Sequence, residues 1–309
     1  MTQSAPAPSR IRSVRYVALG VPEFRGAADF YEHVWGLERQ AESDGAVYFT
    51  AASSSEPCIL RLRSCEEPRV DVVSLVAGSR EDVEALASTV AGAGMRLVHE
   101  PAALSIPGDG YGFRFFDPDG RTVEVAAEVG RRAPDPVDPG LAVPLGISHV
   151  VLNTTDLARA VRFYVDFLGF HVSDYLANLM VFLRCGPAHH VLAFTAAPHV
   201  SLNHVAYDIA DLDQYMHATG RTLRAGYELV WGPGRHGPGN NTFSYFEDPG
   251  RFVCEYTTGL RLIEDERTHK PKVFGLSREE EDLWGTAGPR RGEPFLGVPD
   301  CGLWSPPPF

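Results

Sequence analysis

The amino-acid sequence predicts an α+β protein made of two tandem modules. The first observation behind this prediction is an internal repeat, because residues 14–38 superpose on residues 147–171 without a gap and both copies contain the pattern FYxxxxG. The second observation is that each copy reads as a strand, a helix and then several short strands rich in Val, Leu and aromatic residues. Duplication over so long a period indicates two copies of one module rather than a stack of short repeats.

The individual elements are clearest in the second copy. ISHVVLN, residues 147–153, predicts a strand whose alternate residues, His149 among them, share one face. DLARAVRFYVDFL carries apolar residues at helical spacing and predicts a helix that packs on a sheet. The runs VSDYLANLMVFLRCG, HHVLAFTAA and LNHVAYDIA predict strands. A second helix is expected from about Asp211, and SYFEDPGRFVCEYTT predicts a hairpin around Asp248.

The repeat divides the chain into four segments. Residues 1–130 form a first module, residues 131–146 a linker with four prolines and no periodicity, residues 147–260 a second module, and residues 261–309 a tail. The tail has little repeat signal but many large apolar side chains, so we expect it to dock over the site or against a neighbouring subunit of a homo-oligomer. These side chains are Phe274, Leu276, Trp284, Phe295, Leu303, Trp304 and Phe309.

Composition and charge exclude several classes of function. The chain has 309 residues, 44% of them hydrophobic, and a net charge of −12. An acidic surface repels phosphate, so we expect no nucleic-acid partner. No apolar run approaches the roughly 18 residues of a membrane span, and the start lacks the apolar segment of a signal peptide, so a cytoplasmic protein with no membrane partner is expected. Five cysteines without a CxxC pattern indicate neither a disulfide framework nor a thiolate zinc site.

Three residues of the second module predict a metal site. His149 lies on the first predicted strand, His204 on a later strand and Glu255 on the last. Two neutral imidazoles and one carboxylate occupy one face of an octahedron and leave the other face open, which is the arrangement of non-haem Fe(II) oxygenases. In the first module Tyr16 takes the position of His149, and the position of His204 falls near residues 71–72. The first copy therefore keeps the scaffold but lacks both imidazoles.

Further polar residues gather near these positions in the second module. His190 follows a strand start, His236 lies in a Gly/Pro loop, and Tyr245 opens the strand that leads to Glu255. A histidine beside a metal moves protons near neutral pH, and a tyrosine hydroxyl holds a substrate oxygen by a hydrogen bond. Glu124, which takes the position of Glu255 in the first module, is expected to remain without partners. The pattern therefore predicts a reaction site in the second module.

The motif GRHGPGNNTFSYFEDPGRFVCEY, residues 234–256, resembles the signature of type I extradiol catechol dioxygenases, which belong to the vicinal oxygen chelate superfamily. The resemblance covers residues 12–260, and its specific motifs lie within residues 147–256. It implies that each module is a pair of βαβββ units forming an incomplete barrel. It also implies a catechol-type diol and O2 as substrates, with the ring opened beside its two hydroxyls.

The resemblance also implies a role for each residue of the site. His149, His204 and Glu255 would bind Fe(II), and the ligand types alone also accept Mn(II). His190 would be the acid–base residue; His189 is the alternative, but spacing and strand alternation favour His190. The substrate-binding residues would be His236 and Tyr245, which hydrogen-bond the diol oxygens, and Asn240 or Asn241 in the same loop.

Other functions fit parts of this pattern. Glyoxalase-like isomerases and lyases use similar strands for their metal sites, but these sites often draw ligands from both modules or from two chains. A binding protein of the bleomycin-resistance type would sequester a ligand and has no reason to hold three metal ligands in one module. A duplicate with incidental histidines would have to explain why the polar groups gather in one copy. The sequence leaves open whether the catechol has one ring or two.

Overall fold

The computed structural model describes residues 9–43, 45–135, 140–290 and 294–308. Phe309, which the sequence assigns to the tail, and part of the predicted linker lie outside these ranges. Within the described residues no helix has the length and apolar character needed to cross a membrane. The strands fall into two sheets, one from each half of the chain.

The bounds of the elements follow the repeat. The first sheet contains β1 (Ile11–Val21), β2 (Glu38–Ser43), β3 (Ala46–Thr50), β4 (Leu60–Ser64), β5 (Arg69–Ala77), β6 (Leu97–Ala103), β7 (Tyr111–Phe116) and β8 (Thr122–Ala127). The second contains β9 (Gly146–Thr154), β10 (His171–Leu176), β11 (Met180–Arg184), β12 (Leu192–Ala196), β13 (Ser201–Asp208), β14 (Leu229–Arg235), β15 (Thr242–Glu247), β16 (Val253–Thr257) and β17 (Val273–Phe274). The helices are α1 (Phe24–Asp29), which continues as a π-helix over Phe30–Trp35, α2 (Arg80–Gly92), α3 (Leu157–Asp166), α4 (Leu212–Arg224), α5 (Arg278–Glu281) and a 3-10 turn at Pro294–Leu296.

Both sheets have the same strand order, which confirms the duplicated module. The first sheet runs β2-β3-β4-β1-β5-β8-β7-β6, and the second runs β17-β10-β11-β12-β9-β13-β16-β15-β14. Apart from β17, which the tail adds at one edge, every strand has its counterpart at the same place. Each module consists of two βαβββ units, and the sheets are open rather than closed into a barrel. The predicted fold class is therefore confirmed.

The helices of the second module begin at the residues that the sequence indicates. The Asp156 side chain accepts a hydrogen bond from the backbone N–H of Arg159 at 3.0 Å and caps α3. Asp211 caps α4 in the same way, accepting from the N–H of Gln214 at 2.9 Å. A capping carboxylate satisfies a backbone donor that has no partner within the helix. These caps fix where each helix leaves the sheet.

The repeated FYxxxxG pattern joins the two modules. The Tyr31 hydroxyl donates a hydrogen bond to Oδ2 of Asp248 at 2.8 Å, and the Tyr164 hydroxyl donates to Oδ2 of Asp117 at 3.2 Å. The tyrosine of each copy therefore reaches the Asp-Pro turn of the other copy. The glycine of the pattern ends the helical segment in a left-handed conformation, with φ of 92° at Gly36. The motif that revealed the repeat thus also forms part of the contact between its copies.

Candidate functional site

The second sheet brings the three predicted metal ligands together. Strand β13 lies between β9 and β16, and Ala206 on β13 is opposite His149 on one side and opposite Glu255 on the other. His204 precedes Ala206 by two residues, so its side chain is on the same face of the sheet. The small side chain of Ala206 leaves room for the other three to converge. Residues far apart in sequence therefore meet because their strands are neighbours.

The ligand atoms converge on one point. Oε2 of Glu255 lies 3.0 Å from Nε2 of His204 and 3.3 Å from Nε2 of His149, and the two nitrogens are 3.4 Å apart. All three side chains are buried. One potential ligand atom from each residue lies within 4.8 Å of the others. This spacing and donor set suit a divalent cation such as Fe(II) or Mn(II).

The protonation states of Glu255 and His204 also fit a metal. Both carboxylate oxygens of Glu255 are buried and accept no hydrogen bond of good geometry within the described residues. Burial raises the pKa of Glu255, but the adjacent His149 and His204 rings lower it more strongly, to about 2, so the group is an anion. Burial lowers the pKa of His204, which keeps its ring neutral. A buried carboxylate anion needs a cation nearby.

A neighbouring amide orients one of the ligands. Nδ1 of His204 lies 2.7 Å from Oδ1 of Asn203. An amide oxygen only accepts, so Nδ1 carries the proton and Nε2 presents its lone pair to Glu255 and His149. Metal-binding histidines are held in this way when a second group fixes their tautomer.

A pocket opens beside the triad. His149 and His204 form part of its wall, together with the predicted residues His190, His236 and Tyr245. Arg290 and Glu281, which belong to the tail, form an ion pair of 2.6 Å that also lines it. The apolar part of the wall consists of Val151, Leu176, Leu179, Met180, Phe182, Trp231, Pro238 and Phe295. A ring with polar substituents at one end suits such a pocket.

The two adjacent histidines point in different directions. His190 lies in the pocket wall, with its ring centroid 4.2 Å from that of His149. His189 is fully buried, is not part of the wall, and hydrogen-bonds Asp174 through Nε2 at 2.8 Å. Burial, followed by the electrostatic effect of the adjacent His149, lowers the pKa of His190 well below its usual value, so its ring is neutral before substrate binds. The geometry therefore favours His190 over His189 for contact with a substrate.

His236 and Tyr245 form a hydrogen-bonded pair in the pocket. Nε2 of His236 lies 2.8 Å from the Tyr245 hydroxyl, and Nδ1 of His236 lies 3.2 Å from the carbonyl oxygen of Glu281. Because the carbonyl only accepts, Nδ1 carries the proton and Nε2 accepts from the tyrosine. Burial lowers the pKa of His236 to about 4, and burial together with Glu255 raises that of Tyr245 well above 10. Both groups are therefore neutral hydrogen-bonding residues.

The two asparagines of the loop differ in position. Asn241 is buried in the pocket wall, and its Oδ1 has no hydrogen-bond partner within the described residues. Asn240 is exposed, is not part of the wall, and accepts a hydrogen bond from Nε of Arg235 at 3.0 Å. Of the two predicted substrate contacts, the structure brings only Asn241 to the pocket.

The first module has a buried arginine where the second has its site. Glu124 accepts hydrogen bonds from Nε of Arg114 at 2.8 Å, from the Tyr16 hydroxyl at 3.2 Å and from the Ser74 hydroxyl at 2.8 Å. Arg114 is opposite Glu124 on β7, the position that Tyr245 has on β15. The expectation that Glu124 remains without partners is therefore wrong, because three side chains hydrogen-bond it. An internal guanidinium neutralises the charge of this carboxylate.

The tail contributes Phe295, which the sequence identified only as one of several apolar side chains of that segment. The Phe295 ring stands perpendicular to that of Tyr245, with centroids 4.7 Å apart. The Phe295 carbonyl accepts hydrogen bonds from Nδ2 of Asn153 at 2.7 Å and of Asn203 at 2.8 Å. Asn203 thus connects the docked tail to the ligand His204. In the sequence, the only indication that Asn203 belongs to the site is its position directly before His204.

Replacing Phe295 with Ala is expected to raise the KM for an aromatic substrate roughly tenfold, which corresponds to about 1.4 kcal/mol of lost apolar contact. The bound metal should be unchanged, because Phe295 is not a ligand. Steady-state kinetics and metal analysis would measure both. Trp284→Ala is the matched control, since Trp284 is a partly exposed aromatic of the tail outside the pocket wall. An equal rise in KM for both variants would contradict a specific contact by Phe295.

Comparison with known proteins places the chain in a family. The family model described as Glyoxalase/Bleomycin resistance protein/Dioxygenase superfamily matches residues 13–125 and 146–256, one match in each module. The chain belongs to this superfamily. The two matched segments coincide with the two sheets, so the family relationship and the duplicated fold agree.

Individual relatives carry dioxygenase and glyoxalase names. Metapyrocatechase 2 of Cupriavidus necator is 29% identical, and the match covers 82% of each chain. An iron-dependent extradiol dioxygenase of Rhodococcus jostii is 30% identical over 55% of this chain and 62% of its own. The structure of a Mn(II)-bound glyoxalase from Novosphingobium aromaticivorans has a TM-score of 0.91 and 42% identity, covering 96% of this chain and 98% of that one. The resemblance to extradiol dioxygenases is thereby confirmed.

Proposed function

We propose that this protein is an extradiol dioxygenase, which opens a catechol-type diol beside its two hydroxyls with O2 at Fe(II). The observation that carries the proposal is the position of His190, His236 and Tyr245 around the open side of the His149, His204 and Glu255 group. The names of the relatives from C. necator and R. jostii support the reaction class, and the latter supports iron. Cytoplasmic location and assembly as a homo-oligomer stay predictions of the sequence.

His149, His204 and Glu255 would hold the metal ion. When bound, Fe(II) would hold a diol and O2 side by side and let electron density pass from one to the other. The apolar wall, with Phe182 and Trp231, would orient the ring and keep bulk water away.

The remaining polar residues would control hydrogen bonds and protons. Tyr245, as a neutral phenol, would donate a hydrogen bond to a diol oxygen, and Nε2 of His236 would accept one from a diol hydroxyl. His190 is neutral, so its free nitrogen would take a proton from the substrate and return it later in the reaction. Each group thus has a protonation state that matches its proposed role.

A glyoxalase-like isomerase or lyase is the second candidate, and the 42% identity to the Mn(II)-bound glyoxalase favours it. Such a reaction consumes no O2. Against it, the structure collects its three ligand candidates within one module and surrounds them with two further histidines and a tyrosine. A ligand-binding protein without activity is the third candidate, and it requires no buried carboxylate prepared for a metal.

Ring cleavage by purified protein tests the proposal. Protein is loaded anaerobically with Fe(II) or, in parallel, with Mn(II), and single-ring and two-ring catechols are then added in air. We expect a yellow product, because a ring-opened hydroxymuconic-semialdehyde-type compound absorbs visible light. The more active metal identifies the cofactor. If protein with about one bound metal ion per chain gives no coloured product from any catechol, the dioxygenase proposal is contradicted.

Replacing His190 with Asn is expected to lower kcat by about a hundredfold or more, because the residue that moves the substrate proton is lost. Bound iron should stay at the wild-type level, since His190 is not one of the three ligands. His217→Asn, an exposed position on α4, is the matched control and should behave like wild type. Normal turnover by His190→Asn would show that its assigned role is wrong.

A further inference from the structure

A buried hydrogen-bond chain continues behind His190, away from the pocket. Nδ1 of His190 lies 3.0 Å from Nδ1 of His189, and Nε2 of His189 lies 2.8 Å from Oδ2 of Asp174. All three side chains are buried. Asp174 is on β10, a strand that carries none of the metal-binding or proton-moving residues proposed above.

The direction of every hydrogen bond in this chain is determined at its Asp174 end. Oδ1 of Asp174 accepts from the backbone N–H of Lys272 at 2.8 Å, and Oδ2 accepts from Nη2 of Arg261 at 3.0 Å. Both of these donors are permanent, so Asp174 is held as an anion that only accepts. Nε2 of His189 must therefore carry a proton and donate it to Oδ2.

The same reasoning fixes the next hydrogen bond. Burial lowers the pKa of His189, so its ring is neutral and carries one proton, at Nε2. Its Nδ1 is then an acceptor, and the short contact with His190 requires a proton on Nδ1 of His190. The other nitrogen of the His190 ring, Nε2, takes no part in this chain. This is the nitrogen available to the pocket.

We propose that Asp174 and His189 are positioning residues that fix the tautomer of His190, so that Nε2 faces a bound diol as a proton acceptor. This inference rests on the proposed dioxygenase function. When the diol binds, the proton of one hydroxyl passes to Nε2 of His190, and the charged ring keeps its Nδ1–H bond to His189. No electrons change hands in this step, and the proton is the only atom that moves.

Asp174→Asn tests the inference because an amide group has a donor where the carboxylate has only acceptors. The carboxylate accepts from His189, Arg261 and the Lys272 N–H, whereas the amide offers one oxygen and one NH2 group, so at least one donor loses its acceptor. In the molecules where that donor is His189, its ring takes the other tautomer, the hydrogen bonds of the chain reverse, and His190 presents an N–H to the pocket. Metal-loaded protein is mixed anaerobically with 4-nitrocatechol, whose absorption spectrum distinguishes its singly and doubly deprotonated forms. We expect wild type to bind the doubly deprotonated form and Asp174→Asn to bind a measurable share of the singly deprotonated form.

Kinetics provide the second measurement. For Asp174→Asn we expect kcat with catechol to fall between about tenfold and a hundredfold, with KM within about twofold and bound metal unchanged. His189→Gln should shift the spectrum and kcat in the same direction, and it replaces Asp174→Asn if that variant fails to fold. Glu266→Gln is the control: Glu266 also pairs with an arginine of this sheet, Arg184, but does not contact either histidine.

The outcomes separate two kinds of failure. If wild type binds 4-nitrocatechol as described, while Asp174→Asn and His189→Gln have the spectrum and kcat of Glu266→Gln, the positioning role is overturned and the dioxygenase function stands. If metal-loaded wild type does not bind 4-nitrocatechol at all, both the proposed function and the inference are overturned.

Discussion

Glu255→Gln is expected to lower the iron bound per chain by more than about tenfold and to abolish ring cleavage. The carboxylate supplies the only negative charge among the three ligand candidates, and it lies at 3.0 Å and 3.3 Å from the two imidazoles. A neutral amide keeps the shape but loses the charge that a divalent ion requires. Metal analysis after anaerobic loading, together with the catechol assay, would measure both losses.

Glu247→Gln is the matched control for this variant. Glu247 is the last residue of β15, one strand away, and its side chain is exposed. The same chemical change there should leave iron content and activity at the wild-type level. Iron retention by Glu255→Gln equal to that of Glu247→Gln would exclude Glu255 as a ligand.

Glu124→Gln in the first module is expected to have the opposite profile, with large loss of stability and little loss of metal. Arg114 donates to Glu124 at 2.8 Å, and both residues are buried. Arg15 is buried as well, with a guanidinium nitrogen 3.8 Å from the carboxylate. Removing the negative charge beside these guanidinium groups should lower the free energy of unfolding by about 3 kcal/mol. Urea denaturation would measure the loss.

A second substitution separates charge from packing in that experiment. Arg114→Met in the Glu124→Gln background removes the nearest uncompensated cation, so the double variant should be less destabilised than the sum of the two single variants. Iron per folded chain should stay at the wild-type level throughout. A fall in iron content equal to that of Glu255→Gln would contradict the view that only the second module binds metal.

The sequence predicts the fold well because the repeat appears twice and each copy can be checked against the other. The pattern FYxxxxG and the Asp-Pro turns identified the two modules, and the structure shows that these motifs contact one another through Tyr31 with Asp248 and Tyr164 with Asp117. Strand alternation in the sequence also favours His190 over His189 for the pocket, because neighbouring residues of an extended segment point in opposite directions.

The sequence could not predict the parts of the site that depend on contacts between distant segments. Phe295 lies in a tail without periodicity, so nothing in its spacing places it against Tyr245. Arg114 takes the position of Tyr245 only once strand register is known. In the sequence Asp174 is only a polar residue on a short strand, and its link to the site depends on its hydrogen bond to His189. Each of these depends on tertiary packing rather than on local pattern.

Oxygen incorporation tests the central claim most directly. Protein loaded with Fe(II) is mixed with catechol under 18O2, and O2 uptake is measured alongside the mass of the product. The dioxygenase account predicts one O2 consumed per catechol and a ring-opened product that contains oxygen from the labelled gas. A product with the mass of the substrate and no O2 uptake would contradict it, and would assign the second module to an isomerase reaction.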